Sequence, residues 1–330
     1  MVARAEALHV AFLGCGFITA VHSRHLSRMP GEFRCSYASR EHSRAEAYRR
    51  RFAGERAYDG YAEALADPSI DAVVVAVPPR FHLELTLAAL AAGRHVLVEK
   101  PAFPRLEDYE QVIAARDAAG LVVAVGENDH YKPLAVTLRR LLAEGVVGDL
   151  VLAQFTSVTR RLKPADDWRN DPVMAGGDAF FEEGIHWLHL AGSLGPRITR
   201  IDAYRPAPAA EPVGGDMRTK SMLVAFEYDT GAVGALYYSR EVPSLLRGLR
   251  WSKLYGRRGV LTFESNGAVV VAPGRRLPRV ITPGVSDVRG YRAMYRDFAR
   301  AVRDGGPPEM DLERALADQL LMERVGEPNA

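Results

Sequence analysis

The stretch "HVAFLGCGFITAVH", residues 9–22, sets the reading of the chain. After His9 comes an apolar run, Val10–Leu13, with a β-branched member, and Gly14-x-Gly16 then interrupts it. From residue 18 to 28 the pattern becomes helical. A strand that turns through glycines into a helix brings backbone N–H groups and the positive helix end to one point, where no Cβ blocks a pyrophosphate. The same letters also occur in ordinary tight turns, so the context has to decide. That context is a βαβ rhythm: "RCSYAS", "SRAEAYRRRFA", "IDAVVVAVP", "LELTLAALAAG", "HVLVEKP", "LEDYEQVIAARDAAG" and "LVVAVGEN" alternate short apolar runs with helical segments up to about residue 128. Continuous Val/Ile/Leu runs separated by crossover helices predict a parallel, doubly wound Rossmann sheet.

After residue 128 the rhythm changes. "DLVLAQFTSV", "ITRIDAYR", "SMLVAFEYDTGAVGALYYSRE" and "LRWSKLYGRRGVLTFES" are longer and alternate, and the Asp229-Thr230-Gly231 turn is a hairpin signal. The expected architecture is α/β throughout. A dinucleotide-binding domain spans 1–128, and an α/β domain with a large, mostly antiparallel open sheet spans 129–330. Two late helices close the chain, and the stripe Tyr291, Met294, Tyr295, Phe298, Val302 is read as core packing.

Composition narrows the function classes. The 330 residues carry 43 Lys plus Arg against 41 Asp plus Glu, a net +2, with the arginine doublets scattered among acids, so no nucleic-acid partner is expected. "FLGC" at 12–15 has too short an apolar run before it for a secretion signal. Two cysteines, Cys15 and Cys35, make neither a disulfide framework nor a CxxC metal site. The expected setting is cytoplasmic, with no membrane contact.

The second strand ends in "YASREHSR", where a NAD site usually offers a carboxylate to the ribose 2′-OH. Here Ser39 and Arg40 stand at that place, with Arg44 one turn on and Glu41 as the awkward neighbour. A hydroxyl and guanidinium groups suit a 2′-phosphate, so NADP(H) is expected over NAD(H). Gly14, Gly16, Phe17 and Ile18 would hold the pyrophosphate. "AVPPRFH" brings Pro78 and His82 to the nicotinamide-ribose side, although a helix-starting turn accounts for His82 equally well. "HVLVEKP" ends a buried strand on Glu99 and Lys100. Only five of the basic residues are lysines, so a lysine at this rim stands out. It is either a proton-handling amine or half of a rim salt bridge, and Glu99 would hold the ribose or the lysine.

Further on, "AGGDAFFEEGIHWLHL" is a glycine turn leading into a helix. Glu182 and His186, four apart, share a face and form a usable acid–base pair. Adding His189 makes a metal-like face, but nothing else supplies convergent ligands, so no metal is expected and His189 is read as packed against the sheet.

Taken together, GxG, "SR", "VP", "EKP" and "GGxxxxExGxH" resemble the glucose–fructose oxidoreductase/inositol dehydrogenase (Gfo/Idh/MocA) family over nearly the whole chain. The resemblance implies that Lys100 and His186 are catalytic and that Glu182 stands for an aspartate. It implies that Asn128 and Pro133 match an N-x-R-x-x-P segment in which His130 replaces the arginine. Thr19 and Pro79 are further departures. It also implies that the open sheet serves as a dimer interface, giving a homodimer or homotetramer, and that the substrate is a sugar, cyclitol or related polyol. Lys100, His130, Glu182 and His186 would contact that substrate. Apart from the resemblance, Arg160, Arg161, Lys163 and Trp168 on the long loop 159–177 either hold an anionic or ring-shaped substrate or belong to a solvated loop whose charge Asp166 and Asp167 balance. A reductase of a non-sugar carbonyl or imine and a non-catalytic NADP(H) sensor are the alternatives, and a sensor has no need of Lys100, Glu182 and His186 together.

Overall fold

The computed structural model describes residues 7–161, 164, 167–207, 220–243 and 249–326. The first stretch runs β1 (Leu8–Leu13), α1 (Phe17–Leu26), β2 (Phe33–Ser39), α2 (His42–Arg51), β3 (Ala57–Asp59), α3 (Tyr61–Ala66), β4 (Ala72–Val75), α4 (His82–Ala91), β5 (His95–Val98), α5 (Leu106–Ala119) and β6 (Val123–Val125). Its six strands lie in the order β3-β2-β1-β4-β5-β6, and every pairing is parallel. Val10, Phe12, Leu13 and Val73–Val75 are wholly buried, as strands covered on both faces require. Strand order reverses between β1 and β4, so the loops after these two strands flank the crevice where such sheets bind ligands.

The second stretch runs α6 (Pro133–Ala143), β7 (Leu150–Val158), α7 (Pro172–Ala175), α8 (Ala179–Gly192), β8 (Ile198–Tyr204), β9 (Ser221–Tyr228), β10 (Val233–Ser239), β11 (Trp251–Gly256), β12 (Gly259–Glu264), β13 (Val270–Ala272) and β14 (Arg279–Ile281), and helices α9 (Tyr291–Asp304) and α10 (Leu312–Gly326) follow. Eight strands form one sheet in the order β14-β13-β12-β11-β7-β10-β9-β8. All pairs are antiparallel except β7 with β10, and the Asp229–Gly231 turn joins β9 to β10 as the sequence predicts. One face of this sheet packs Phe155, Val224, Phe226, Leu254 and Phe263 against Leu138 and Leu141 of α6, Ile185 and Leu188 of α8, and Met322 of α10. The other face carries exposed Leu152, Val233, Tyr237, Trp251 and Val260.

The chain divides into two compact units: residues 1–127 with 291–316, and 128–290 with 317–330. The change at 127/128 lies one residue from the expected boundary, but the assignment of everything after 128 to the second domain needs correction. Helix α9 belongs to the first unit. Its apolar stripe packs on α1 and β2, where Tyr295 meets the rings of His22 and Phe33 at 5.6 and 5.4 Å. A hydrophobic stripe announces that a helix is covered but not by which neighbour, so sequence order misplaced it.

Candidate functional site

In the first unit the candidate residues gather at the C-terminal ends of the strands. Gly14 leaves β1 at φ +110°, and a Cβ there would lie 2.6 Å from the carbonyl oxygen of Ala76. No L-residue with a side chain fits that corner. Gly16 is the N-cap of α1, without a side-chain cap and with no acidic residue in the first turn, and a Cβ on it would meet nothing within 4 Å. The helix start therefore presents uncapped N–H groups to open space, which fits a pyrophosphate. Phe17 is 72% exposed beside it, and Ile18 is half-buried.

Thr19, the departure in the third position, has a structural explanation: its buried hydroxyl donates to the Gly14 carbonyl at 2.6 Å and braces the turn. Tyr48 of α2 was missed by sequence reading. Its hydroxyl donates to the Gly16 carbonyl at 3.0 Å and ties the second helix to the cradle. Cys15, in the cradle itself, is a buried small residue whose thiol burial pushes up to about 12, far from a nucleophile.

At the end of β2, the Ser39 hydroxyl accepts from the Glu41 amide at 3.2 Å. Arg40 is exposed. Arg44 and Glu41 form a surface pair at 3.3 Å, so the carboxylate that crowded the NADP(H) reading faces its own guanidinium. After β4, Pro78 leads into a short 3₁₀ turn, Pro79–Phe81.

His82 differs from the expectation of a ligand-facing ring. It is 1% exposed, with Nδ1 at 2.9 and 3.1 Å from the carbonyls of Ala102 and Pro101 and Nε2 at 2.8 Å from that of Val77. Burial holds it below the usual histidine pKa even though these carbonyls favour the charged form. His82 joins the loop after β4 to the loop after β5. Glu99 also turns inward: it is 6% exposed, and its Oε1 lies 2.8 Å from Nε2 of His22 on α1. One of its two carboxylate oxygens is thus turned towards α1. Lys100, half-buried, stands at the rim immediately after it.

In the second unit, Asn128 is engaged by the protein, its amide donating to the Arg289 carbonyl at 2.7 Å and to Asp129 at 3.0 Å. His130 is 3% exposed and its Nδ1 lies 2.9 Å from Nε2 of His189. His189 Nδ1 lies 2.7 Å from Asp318 Oδ2. The carboxylate can only accept, so His189 carries its proton on Nδ1 and accepts through Nε2 from His130. His189 thus has both nitrogens engaged by protein, in keeping with its reading as a packed residue, and Nδ1 of His130, expected as a substrate contact, faces His189.

Helix α8 begins at Asp178, whose side chain caps the Phe181 amide at 2.9 Å. Its Glu182 does not stand alone with His186. Arg240, just past β10 with a side chain 4% exposed, bonds Glu182 Oε2 at 2.8 Å and Glu183 at 2.7 Å. Burial alone would raise the Glu183 carboxyl, but Arg240 and Arg161 outweigh it and hold it at about 2. Arg240 was invisible in the sequence because nothing in "YYSRE" marks it. His186 is half-buried. Arg160 is exposed, Trp168 is 40% exposed with the Arg169 guanidinium 5.8 Å over its ring, and Lys163 lies outside the described residues. Among the described residues no helix is long and apolar enough to cross a membrane.

Two family models match these two architectures: "Oxidoreductase family, NAD-binding Rossmann fold" over residues 8–127, and "GFO/IDH/MocA C-terminal domain" over residues 135–262. The chain belongs to the Gfo/Idh/MocA family of oxidoreductases. It is 28% identical to the D-xylose 1-dehydrogenase (NADP(+)) 2 of Haloferax volcanii over 88% of this chain and 87% of that one. It is 23% identical to the myo-inositol 2-dehydrogenase of Thermotoga maritima over 95% and 94%. Its fold superposes on levoglucosan dehydrogenase in complex with NADH and levoglucosan with a TM-score of 0.84, at 21% identity, covering 97% and 96% of the two chains. As a member of this family the chain is a nicotinamide-dependent oxidoreductase.

Proposed function

We propose that this oxidoreductase transfers hydride between NADP(H) and a carbinol or carbonyl carbon of a sugar, cyclitol or related polyol. The observation that carries the cofactor preference is the end of β2. There Ser39, Arg40 and Arg44 occupy the place of a ribose-binding carboxylate, and Glu41 is paired with Arg44 at 3.3 Å. The named activities of relatives on D-xylose, myo-inositol and levoglucosan support the substrate class.

Bound NADP(H) supplies or accepts the hydride. Lys100, an ammonium on a half-buried rim, polarises a carbonyl oxygen or returns a proton to the alkoxide, and His186 exchanges the same hydroxyl proton with solvent. Glu182, held by Arg240 as a carboxylate, accepts a hydrogen bond from a substrate hydroxyl. Arg160 and Trp168 are proposed as outer contacts of a ring-shaped substrate. His82, Glu99, Asn128 and His130, engaged by protein partners, are left out of the ligand contacts.

The uncovered sheet face carries Leu152 at 47%, Tyr237 at 47% and Trp251 at 41% exposure. We assign it to self-association as a homodimer or a homotetramer built from that dimer.

The test is steady-state turnover of D-xylose, myo-inositol and levoglucosan with NADP+ and with NAD+. Higher kcat/KM with NADP+ is expected, and R40D should invert the preference; tighter binding of NADH by the native protein would refute it. K100A and H186A should each lower kcat by about 10²–10⁴-fold while NADPH still binds. Native turnover in either variant overturns the roles.

A further inference from the structure

Lys100 is flanked by two segments that buried histidines grip. On one side, Glu99 Oε1 lies 2.8 Å from His22 Nε2, and His22 Nδ1 lies 2.6 Å from the Tyr295 hydroxyl. His22 and Tyr295 are fully buried. A carboxylate oxygen accepts, so the contact is favourable with a ring proton on Nε2, an arrangement that leaves Nδ1 to accept from the Tyr295 hydroxyl. Neither Nε2 nor Oε1 has a hydrogen-bond partner among the described residues, so at 2.8 Å the two groups approach closely as a charge–dipole or ion-pair contact without a formed hydrogen bond. The carboxylate has little room to swing, since a single Cβ on Gly126 would lie 2.8 Å from Oε1. Phe12, Tyr291 and Tyr295 pack edge-on to the His22 ring at 6.2, 4.8 and 5.6 Å. On the other side of Lys100, the buried His82 ring lies between the carbonyls of Pro101 and Ala102, at 3.1 and 2.9 Å from Nδ1, and that of Val77, at 2.8 Å from Nε2, and its single N–H in the neutral form donates to one of these sides.

Buried polar groups cost stability unless paired, and an apolar trio of the same shape fills a core equally well. A tyrosine from α9, a histidine from α1 and a carboxylate at the end of β5 converge instead on the residue next to the amine. We propose that His22, braced by Tyr295, is a positioning residue that fixes Glu99, and that with His82 on the far side it sets the place of the Lys100 amine. The inference rests on the proton-handling role given above to Lys100.

Three variants test it: H22A, H22Q, whose amide nitrogen replaces the Nε2 donor, and Y295F. The kcat of H22A should fall by on the order of 10²-fold and that of Y295F by less, with sugar KM and NADPH affinity near native, because displacement of a catalytic group by about 1 Å costs that much. H22Q should recover part of the loss. If H22A does not fold, Y295F, which removes one oxygen, carries the kinetic test. Nitrogen-15 NMR of the histidine-labelled full-length protein should show His22 protonated on Nε2, with the tautomers mixed in Y295F. Competitive acetylation by acetic anhydride, read by peptide mass spectrometry, should show altered Lys100 reactivity in Y295F and H22A.

The last two measurements need no turnover. If the native protein oxidises none of the three sugars, the substrate reading fails and the labelling and NMR data alone judge the positioning role. An Nδ1–H tautomer, native kcat in Y295F and H22A, H22Q no better than H22A, or unchanged Lys100 labelling would each overturn it.

Discussion

Replacing Arg240 by methionine is the substitution whose effect can be worked furthest from the structure. The side chain is 4% exposed and bonds both Glu182 and Glu183, each 17% exposed. Methionine keeps the apolar stem and removes only the guanidinium. A carboxyl displaced from 4.5 to about 2 contributes about 3 kcal/mol at neutral pH, and removing one partner of a buried ion pair costs about 3–5 kcal/mol. The two estimates agree on about 3 kcal/mol for R240M at pH 7. The folded carboxyl pKa is depressed, so its stabilisation is present above 4.5 and is lost as pH falls towards 2. Without Arg240, burial pushes Glu183 upward and it protonates readily in mild acid. The penalty should therefore shrink by about 2 kcal/mol between pH 7 and pH 3.5. Urea unfolding followed by tryptophan fluorescence reads this unit specifically, because Trp168, Trp187 and Trp251 all lie in it. A penalty equal at both pH values, or below about 1 kcal/mol at pH 7, would refute the reasoning.

Three further outcomes are expected. G14A should lose NADPH binding measured by fluorescence and about 2 kcal/mol of stability, from the positive φ and a Cβ 2.6 Å from the Ala76 carbonyl. His9, His82 and His95 are all held below the usual histidine value, chiefly by burial. The unfolded chain takes up these protons first, so stability is lost as pH falls below about 6.5, at up to about 1.4 kcal/mol per pH unit for each histidine. Melting curves at pH 7.5 and 5.5 check the direction, and a higher midpoint at pH 5.5 contradicts it. Finally, L152E and W251E, on the uncovered sheet face, should shift the protein to monomer in light scattering with the far-UV circular dichroism unchanged.

Much of the first unit was legible because its signals are local. Continuous Val/Ile runs, glycine stops and the Gly14–Gly16 turn each specify backbone geometry within a few residues. The hairpin at Asp229–Gly231 was legible for the same reason. Two short elements, β3 and α3, escaped because three strand residues and six helical ones carry too little periodicity to read.

The sequence by itself determined a parallel nucleotide-binding sheet, a second sheet with one covered face, and which residue types were rare enough to matter, Lys100 above all. The tertiary structure alone decided what those residues face. Glu99 turns to His22, Glu182 to Arg240, His130 to His189 and His189 to Asp318, through partners 58 to 129 positions away. Helix α9 likewise returns across some 270 residues to brace His22. Backbone conformation follows from neighbours in sequence, whereas the partner of a buried polar group follows from packing and charge compensation among segments that meet only once the chain has folded.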